Sequence, residues 1–255
     1  VMLDYPQNYD MPCLVPRGAQ VDRVIDRGTP FNWRGIDFFL EQHPGQTLYH
    51  HLIWITVDGK KFLCVGDNIS GLCFREDRDY IHSFIPKNRT PVSSYRDMPR
   101  QILEHAPDFI LTGHGGAAPF EKSKVERWRD WMVRWETLFT KIIDHPHPNM
   151  GMDPHWIEFY PYKIRISPGQ AVTFHLHVTN HEPKSRTCQL QFRSIDGVSV
   201  SPENAEITIR PNEKGICKVE VTFPKLFQTH SLPIVADAIW NGRARGEGAE
   251  GIAYW

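Results

Sequence analysis

No stretch of this sequence approaches the ~20 consecutive apolar residues that a helix needs to cross a bilayer, so a helical membrane span is excluded. Net charge is equally scarce, because 29 Lys and Arg against 30 Asp and Glu leave a formal charge of −1. Without a long basic run there is no electrostatic footprint for nucleic acid or for an anionic membrane surface, and a small-molecule substrate is the expected partner. Paired cysteines are missing too. Cys13, Cys64, Cys73, Cys188 and Cys217 form no CxxC, which excludes a zinc ribbon and a dithiol redox centre. Such scattered thiols read as those of a reduced, cytoplasmic protein, with Cys64 acting as a small hydrophobe in an apolar strand pattern. What is present is a 255-residue chain that is 40% apolar and 23% charged, the composition of a globular protein with a real core and room for two domains.

The chain opens on Val1 rather than an initiator Met, with no signal core, and reads as cut from something longer. Leu14-Val15-Pro16-Arg17-Gly18 matches most of a thrombin-cleavage tag, but ordinary sequence flanks it and coincidence is the better reading. Residues 1–20 lack a period and read as loop. Val21–Ile25 and Gly35–Glu41 suggest short strands, and Leu52–Val57 and Lys61–Val65 flank Asp58-Gly59, a two-residue hairpin signal. Helical spacing is expected over Arg75–Phe84 and again over Ser93–His105, where Pro99 would be tolerated in a first turn. Asp108–Leu111 is a short buried strand. Ser123-x-x-Glu126 offers a capping box for a long helix that presents Val125, Trp128, Trp131 or Met132, Trp135, Leu138, Phe139 and Ile142 to the core.

Asp144–Pro154 reads DHPHPNMGMDP, and this density of Pro and Gly marks a linker between an α/β domain over residues 1–144 and an all-β domain over 155–255. His145 and His147 in this linker are expected to be solvated. Beyond it, strand patterns at Trp156–Arg165, Ala171–Val178, Cys188–Arg193, Ile207–Ile209 and Ile216–Phe223 recur between turn clusters. That rhythm implies an immunoglobulin-like β-sandwich. His175 and His177 share one strand face, but no third ligand is close in sequence, so they read as exposed strand residues.

Three stretches carry the chemistry: His43-Pro44-Gly45-Gln46-Thr47-Leu48-Tyr49-His50-His51, Val65-Gly66-Asp67-Asn68, and Leu111-Thr112-Gly113-His114-Gly115-Gly116. Each lies where an apolar run meets a Gly turn, which is how strand ends bring carboxylate and imidazole into one cleft. Zinc takes such ligands, and an open fourth position gives it a water with a pKa near 7. Asp67 at a strand end and His114 in a strand-to-helix turn are thus candidate metal ligands.

In their order and placement, HPGQT, VGDNI and PDFILTGHGG resemble the C-terminal half of the metallo-β-lactamase-fold hydrolases over roughly residues 20–140. That family shows a PGHT, a GD and a final GH element there. The resemblance implies half of a four-layer αββα sandwich, with Asp67 as the carboxylate that bridges two metals and His114 as the last histidine of the second site. Two departures qualify it. The PGHT histidine is Gln46, a poor zinc ligand. His50, on the same side of an extended strand, is offered as its replacement, ahead of His51, which points the other way; the alternative is that His50 packs beneath the site. Nothing in the chain matches the family's HxHxDH element, which belongs to the other half of its fold. Half a sandwich would leave an apolar sheet face in water, forgoing burial worth ~25 cal/mol per Å². The chain is therefore expected to be completed by a second polypeptide or an upstream N-terminal half, and self-association into a homo-oligomer is a further possibility.

The resulting expectation is the C-terminal part of a zinc-dependent hydrolase, acting on an ester, amide, lactone or phosphoester through a metal-bound hydroxide and binding one or two ions once completed. The competing expectation is a non-catalytic scaffold or binding module built on a degenerate half-domain. Residues encoded upstream of Val1 discriminate the two: an HxHxDH there supports the enzyme.

Overall fold

The computed structural model describes residues 22–26, 28–69, 79–80, 90–195, 197–226 and 229–254. One compact unit spans Val24–Pro154, and another includes His155–Trp255. The first is mixed α/β and the second is all β.

In the first unit, β1 (Phe31–Trp33), β2 (Ile36–Gln42), β3 (His51–Val57), β4 (Lys60–Gly66), β5 (Phe109–Thr112) and β6 (Gly116–Pro119) form one sheet in sequence order. All neighbours are antiparallel except β4 and β5, which run parallel and are joined through α1 (Val92–His105). Asp58 and Gly59 both take positive φ, +49° and +73°, as the right-handed twist of a two-residue hairpin demands. The alternation along the strands then sorts two faces. Leu52, Trp54, Leu63, Val65 and Ile110 pack with Tyr95, Met98 and Ile102 of α1 and with Val125, Trp128 and Met132 of α2 (Lys122–Ile142). On the opposite face, pairing aligns Phe38, Ile55, Phe62 and Phe109 in one row and Leu40, Ile53, Cys64 and Leu111 in the next. These eight side chains are only half-buried. Phe62 and Phe109 stack at 5.3 Å.

Several expectations need correction. Asp22–Asp26 forms no strand, and Val24 is 82% exposed; the first strand, β1, comes later. Pro99 lies in the interior of α1, not its first turn. Burial of Tyr95, Met98, Pro99 and Ile102 on that helix offsets the ~3 kcal/mol that an interior proline costs. The N-cap of α2 is Glu121, without a side-chain cap hydrogen bond, so Ser123 does not cap it. Trp131 is 51% exposed and Ile142 78% exposed, leaving Val125, Trp128 and Met132, with Trp135 and Phe139 partly buried, to contact the core. The helix expected over Arg75–Phe84 falls mostly outside the described residues. The linker also contains structure: α3 (Pro148–Met152) buries Met150 and Met152, its N-cap His147 accepts a hydrogen bond from the Asn149 N–H through its side chain, and Asn149 Oδ1 accepts one from the Val92 N–H at 2.9 Å.

The second unit packs two sheets. β7 (Ile157–Tyr160), β9 (Ala171–Thr179), β11 (Ser199–Ser201) and β13 (Lys214–Thr222) form one, ordered β11-β13-β9-β7. The other, ordered β12-β10-β14-β15-β8, is built from β8 (Lys163–Arg165), β10 (Arg186–Ser194), β12 (Asn204–Ile209), β14 (Ser231–Trp240) and β15 (Arg243–Tyr254). Strict alternation puts Val172, Phe174, Leu176 and Val178 of β9 inside, and Phe159 reaches Phe192 of the facing sheet at 6.3 Å. Glu182 is buried but satisfied, taking hydrogen bonds from Arg186 and from Trp240 Nε1. Cys188 and Cys217 are free, buried thiols; burial pushes Cys188 up to about 12. No helix of the described residues is long and apolar enough to cross a membrane.

Candidate functional site

The parallel seam between β4 and β5 places two strand ends side by side. Gly66 pairs with Thr112, and the Gly113 N–H donates to the Gly66 carbonyl at 2.7 Å. The next side chains along each strand are Asp67 and His114. The His114 Nε2 stands 3.2 Å from Asp67 Oδ2, with His114 84% exposed and Asp67 27% exposed. Gly113 permits this approach, because a Cβ there would lie 2.3 Å from Asp67 Oδ1. His114 sits in a strand-to-strand turn, not the strand-to-helix turn expected, since β6 follows at once and α2 starts only at Lys122.

The pairing of β4 with β5 skips Val65. Its carbonyl, left out of that ladder, accepts from His50 Nε2 at 2.9 Å and from the Asn68 N–H at 3.1 Å. A carbonyl only accepts, so the proton sits on Nε2 of His50 and this nitrogen is not a metal donor. Burial holds the His50 pKa below its ordinary value, favouring the neutral ring. The same ring lies against Gly66, whose φ of +51° and whose missing Cβ, which would fall 2.7 Å from His50 Cε1, both call for glycine. The structure thus brings Asp67 and His114 together and does not bring His50 to them. His50 props the seam from beneath.

Gln46, in place of the expected imidazole, completes the pair differently. Its Nε2 donates to Asp67 Oδ2 at 2.8 Å. The loop carrying it is anchored by groups to which the sequence assigns no role. Asn68 Oδ1 accepts from the Gln46 N–H at 2.6 Å while its Nδ2 donates to the His43 carbonyl at 3.4 Å. The hydroxyls of Thr90 and Tyr95 both donate to the Gly45 carbonyl, at 2.9 and 3.4 Å. Asn68, Thr90 and Tyr95 are all buried, and burial pushes the Tyr95 hydroxyl up to about 12. His43 is buried as well, with Nε2 on the Ser94 carbonyl at 2.9 Å and a pKa lowered chiefly by burial. A sequence signal for this anchor exists in retrospect: an Asn directly after the strand-end Asp, and polar residues flanking an apolar helix start.

A carboxylate and an imidazole 3.2 Å apart are donor types a divalent metal takes, but a catalytic zinc site uses three protein ligands. Among the described residues no group of three His, Cys, Asp or Glu could hold an ion. Asp67 and His114 therefore fit as part of a metal site and do not complete one. In the sandwich, His175 and His177 are displayed on the outer face of β9, where Tyr160 stacks on His177 at 5.6 Å.

No family model matches the chain, and no curated protein sequence does. Among solved structures, a Caenorhabditis elegans MSP family member is 14% identical, covering 38% of this chain and 94% of that one with a TM-score of 0.29. A B3 metallo-β-lactamase with an active-site glutamic acid is 15% identical over 50% of this chain and 49% of that one, at a TM-score of 0.32. A Cronobacter sakazakii metallo-β-lactamase is 17% identical over 52% and 53%, also at 0.32. The chain spans about half the length of both metallo-β-lactamases. Scores this low carry no argument, and the functional reading rests on the chain's own geometry.

Proposed function

We propose that this chain is the C-terminal part of a metal-dependent hydrolase, in which Asp67 and His114 supply a carboxylate and an imidazole to a zinc site whose remaining ligands come from an N-terminal half or a second polypeptide. The observation that carries this reading is the 3.2 Å approach of His114 to Asp67 at the C-terminal ends of two adjacent parallel strands. Strand ends in this arrangement are where open sheets gather ligands. The half-buried rows through Phe38, Ile55, Phe62 and Phe109 and through Leu40, Ile53, Cys64 and Leu111 add support, since they give the missing half an apolar surface to cover. A zinc ion bound there supplies Lewis acidity and a nucleophile at neutral pH, suited to an ester, amide, lactone or phosphoester. The chain's own contribution is to hold the carboxylate: Gly113 seats it and Gln46 orients it.

A second reading, a non-catalytic scaffold or binding module, is favoured by one feature, the amide at Gln46 where the resemblance calls for imidazole. Thermal melting of the full chain with added zinc separates the two. The hydrolase reading expects zinc, held weakly by the two ligands this chain supplies, to raise Tm once its concentration reaches well above Kd, where 100 times Kd is worth ~2.7 kcal/mol, and expects His114→Ala and Asp67→Ala each to abolish the rise. A native chain indifferent to zinc favours the module.

A further inference from the structure

Helix α2 outlasts the core it packs on. Its fully buried residues, Lys124, Val125, Trp128 and Met132, all lie in its first half, and beyond them Trp135 and Phe139 are only partly covered, stacked on each other at 5.1 Å. Along one edge Trp131, Leu138 and Ile142 are 51%, 46% and 78% exposed. Residues 131, 135, 138 and 142 recur at intervals of four, three and four, the spacing by which one helix presents a straight apolar seam to another. From Trp131 to Ile142, at ~1.5 Å per residue, that seam runs ~17 Å, about three turns.

A basic ridge borders it. Arg127, Arg134 and Lys141 recur every seven residues, and each stands three or four positions from Trp131 or Leu138, which makes them neighbours on the helix surface. The Arg134 guanidinium lies over the Trp131 ring at 5.6 Å. Arg127 is paired with Asp79 at 2.7 Å, whereas Arg134 and Lys141 have no carboxylate partner among the described residues. Beside Trp131 the surface dips into a solvent-open recess of about 480 Å³ between Tyr80, Trp128 and Arg134, wide enough for a bulky apolar side chain.

We propose that this edge of α2 is a docking site for an amphipathic helix of a partner protein, one that lays apolar residues along Trp131, Trp135, Leu138 and Ile142 and carries acidic residues on the flank facing Arg134 and Lys141. A second copy of this chain fits the edge poorly. Laid antiparallel along the seam, it sets Arg134 and Lys141 against their own counterparts.

The test uses the full chain and two fluorescent synthetic peptides of about three heptads, both with Leu at the seam positions, one flanked by Glu and the other by Lys, each kept monomeric by its own repulsion. Anisotropy should rise saturably with the Glu peptide, weaken with added salt, and be about tenfold weaker or more with the Lys peptide. Leu138→Ser should weaken the Glu peptide about tenfold, and Arg134→Glu with Lys141→Glu should reverse the preference, all these positions being exposed enough to leave the fold intact. No saturable binding, equal binding of the two peptides, or binding indifferent to Leu138→Ser overturns the proposal. So does a dimer seen by sedimentation, or flotation with phosphatidylserine vesicles, that Leu138→Ser abolishes, since either outcome gives the edge to a second copy or to a membrane.

Discussion

Gly113→Ala tests the seating of Asp67 most directly. The φ of Gly113 is not in the left-handed region, so alanine brings no backbone strain, and its cost is steric. Its Cβ would stand 2.3 Å from Asp67 Oδ1, with the Gly66 carbonyl carbon at 3.3 Å as a lesser contact. The carboxylate must retreat by the better part of an ångström, which pulls Oδ2 off Gln46 and His114. Overpacking of this kind costs ~1 to 3 kcal/mol, and partial exposure of Asp67 lets water replace some of the lost hydrogen bonding, so we expect ~2 kcal/mol. Urea denaturation measures the loss, and the zinc-induced rise in Tm should vanish. Because the clash is with one side chain, the cost should fall to a few tenths of a kcal/mol when Asp67 is already alanine, a coupling that a double-mutant cycle isolates. Gly59→Ala is the control: it has open space around it and a φ of +73°, so it should cost only the ~1 kcal/mol of a left-handed alanine and keep the zinc response. A Gly113→Ala protein as stable and as zinc-responsive as the native one, or a cost unchanged in the Asp67→Ala background, would refute the seating argument.

Three further outcomes are expected. His43 and His50 have folded pKa values held below 6.5 by burial, so the unfolded chain takes up more protons as pH falls. Stability should therefore decline as pH drops below about 6.5, and His43→Gln should flatten part of that slope in Tm-against-pH measurements; an unchanged slope would remove His43 from the account. In the sandwich, Trp240→Phe strips a donor from buried Glu182 and should cost ~1 to 3 kcal/mol by denaturant titration, whereas exposed His175→Ala should stay within ~0.5 kcal/mol. On the half-buried sheet face, Phe62→Lys should reduce any self-association of the chain seen by sedimentation, while Leu63→Ala, one residue on but fully buried, should instead cost ~2 to 5 kcal/mol of stability.

Local chemistry was legible in the sequence, and long-range partnership was not. The Asp58-Gly59 hairpin, the alternation of β9 and the ends of β4 and β5 follow from residues within a few positions of one another, where turn geometry and period dominate. The nearness of Asp67 to His114 is legible because a strand-end Gly precedes each. The interior position of Pro99 depended on how much of α1 the core buries, which propensity does not encode. The partner of His50 depended on a skipped residue in the β4–β5 ladder, and the clamp of Asn68, Thr90 and Tyr95 on the Gln46 loop joins segments far apart in the chain. The long hairpin of β14 and β15 went unread although Asn241-Gly242 marks its turn, because β15 is rich in Gly, Ala and Glu instead of β-branched residues.

The parallel seam also has a kinetic meaning. β1 to β4 form a run of local hairpins, and β5 with β6 forms another, so the β4–β5 contact is the one junction in that sheet that must close over a long stretch of chain. Such a junction is slow to form and a natural line along which the sheet can open below its global unfolding. Opening there separates Asp67 from His114 without disturbing either hairpin. Amide exchange at Gly113, whose N–H bonds across the seam to Gly66, therefore times how often the two ligands part, and a metal shared between them would slow that exchange while leaving the outer strands unaffected.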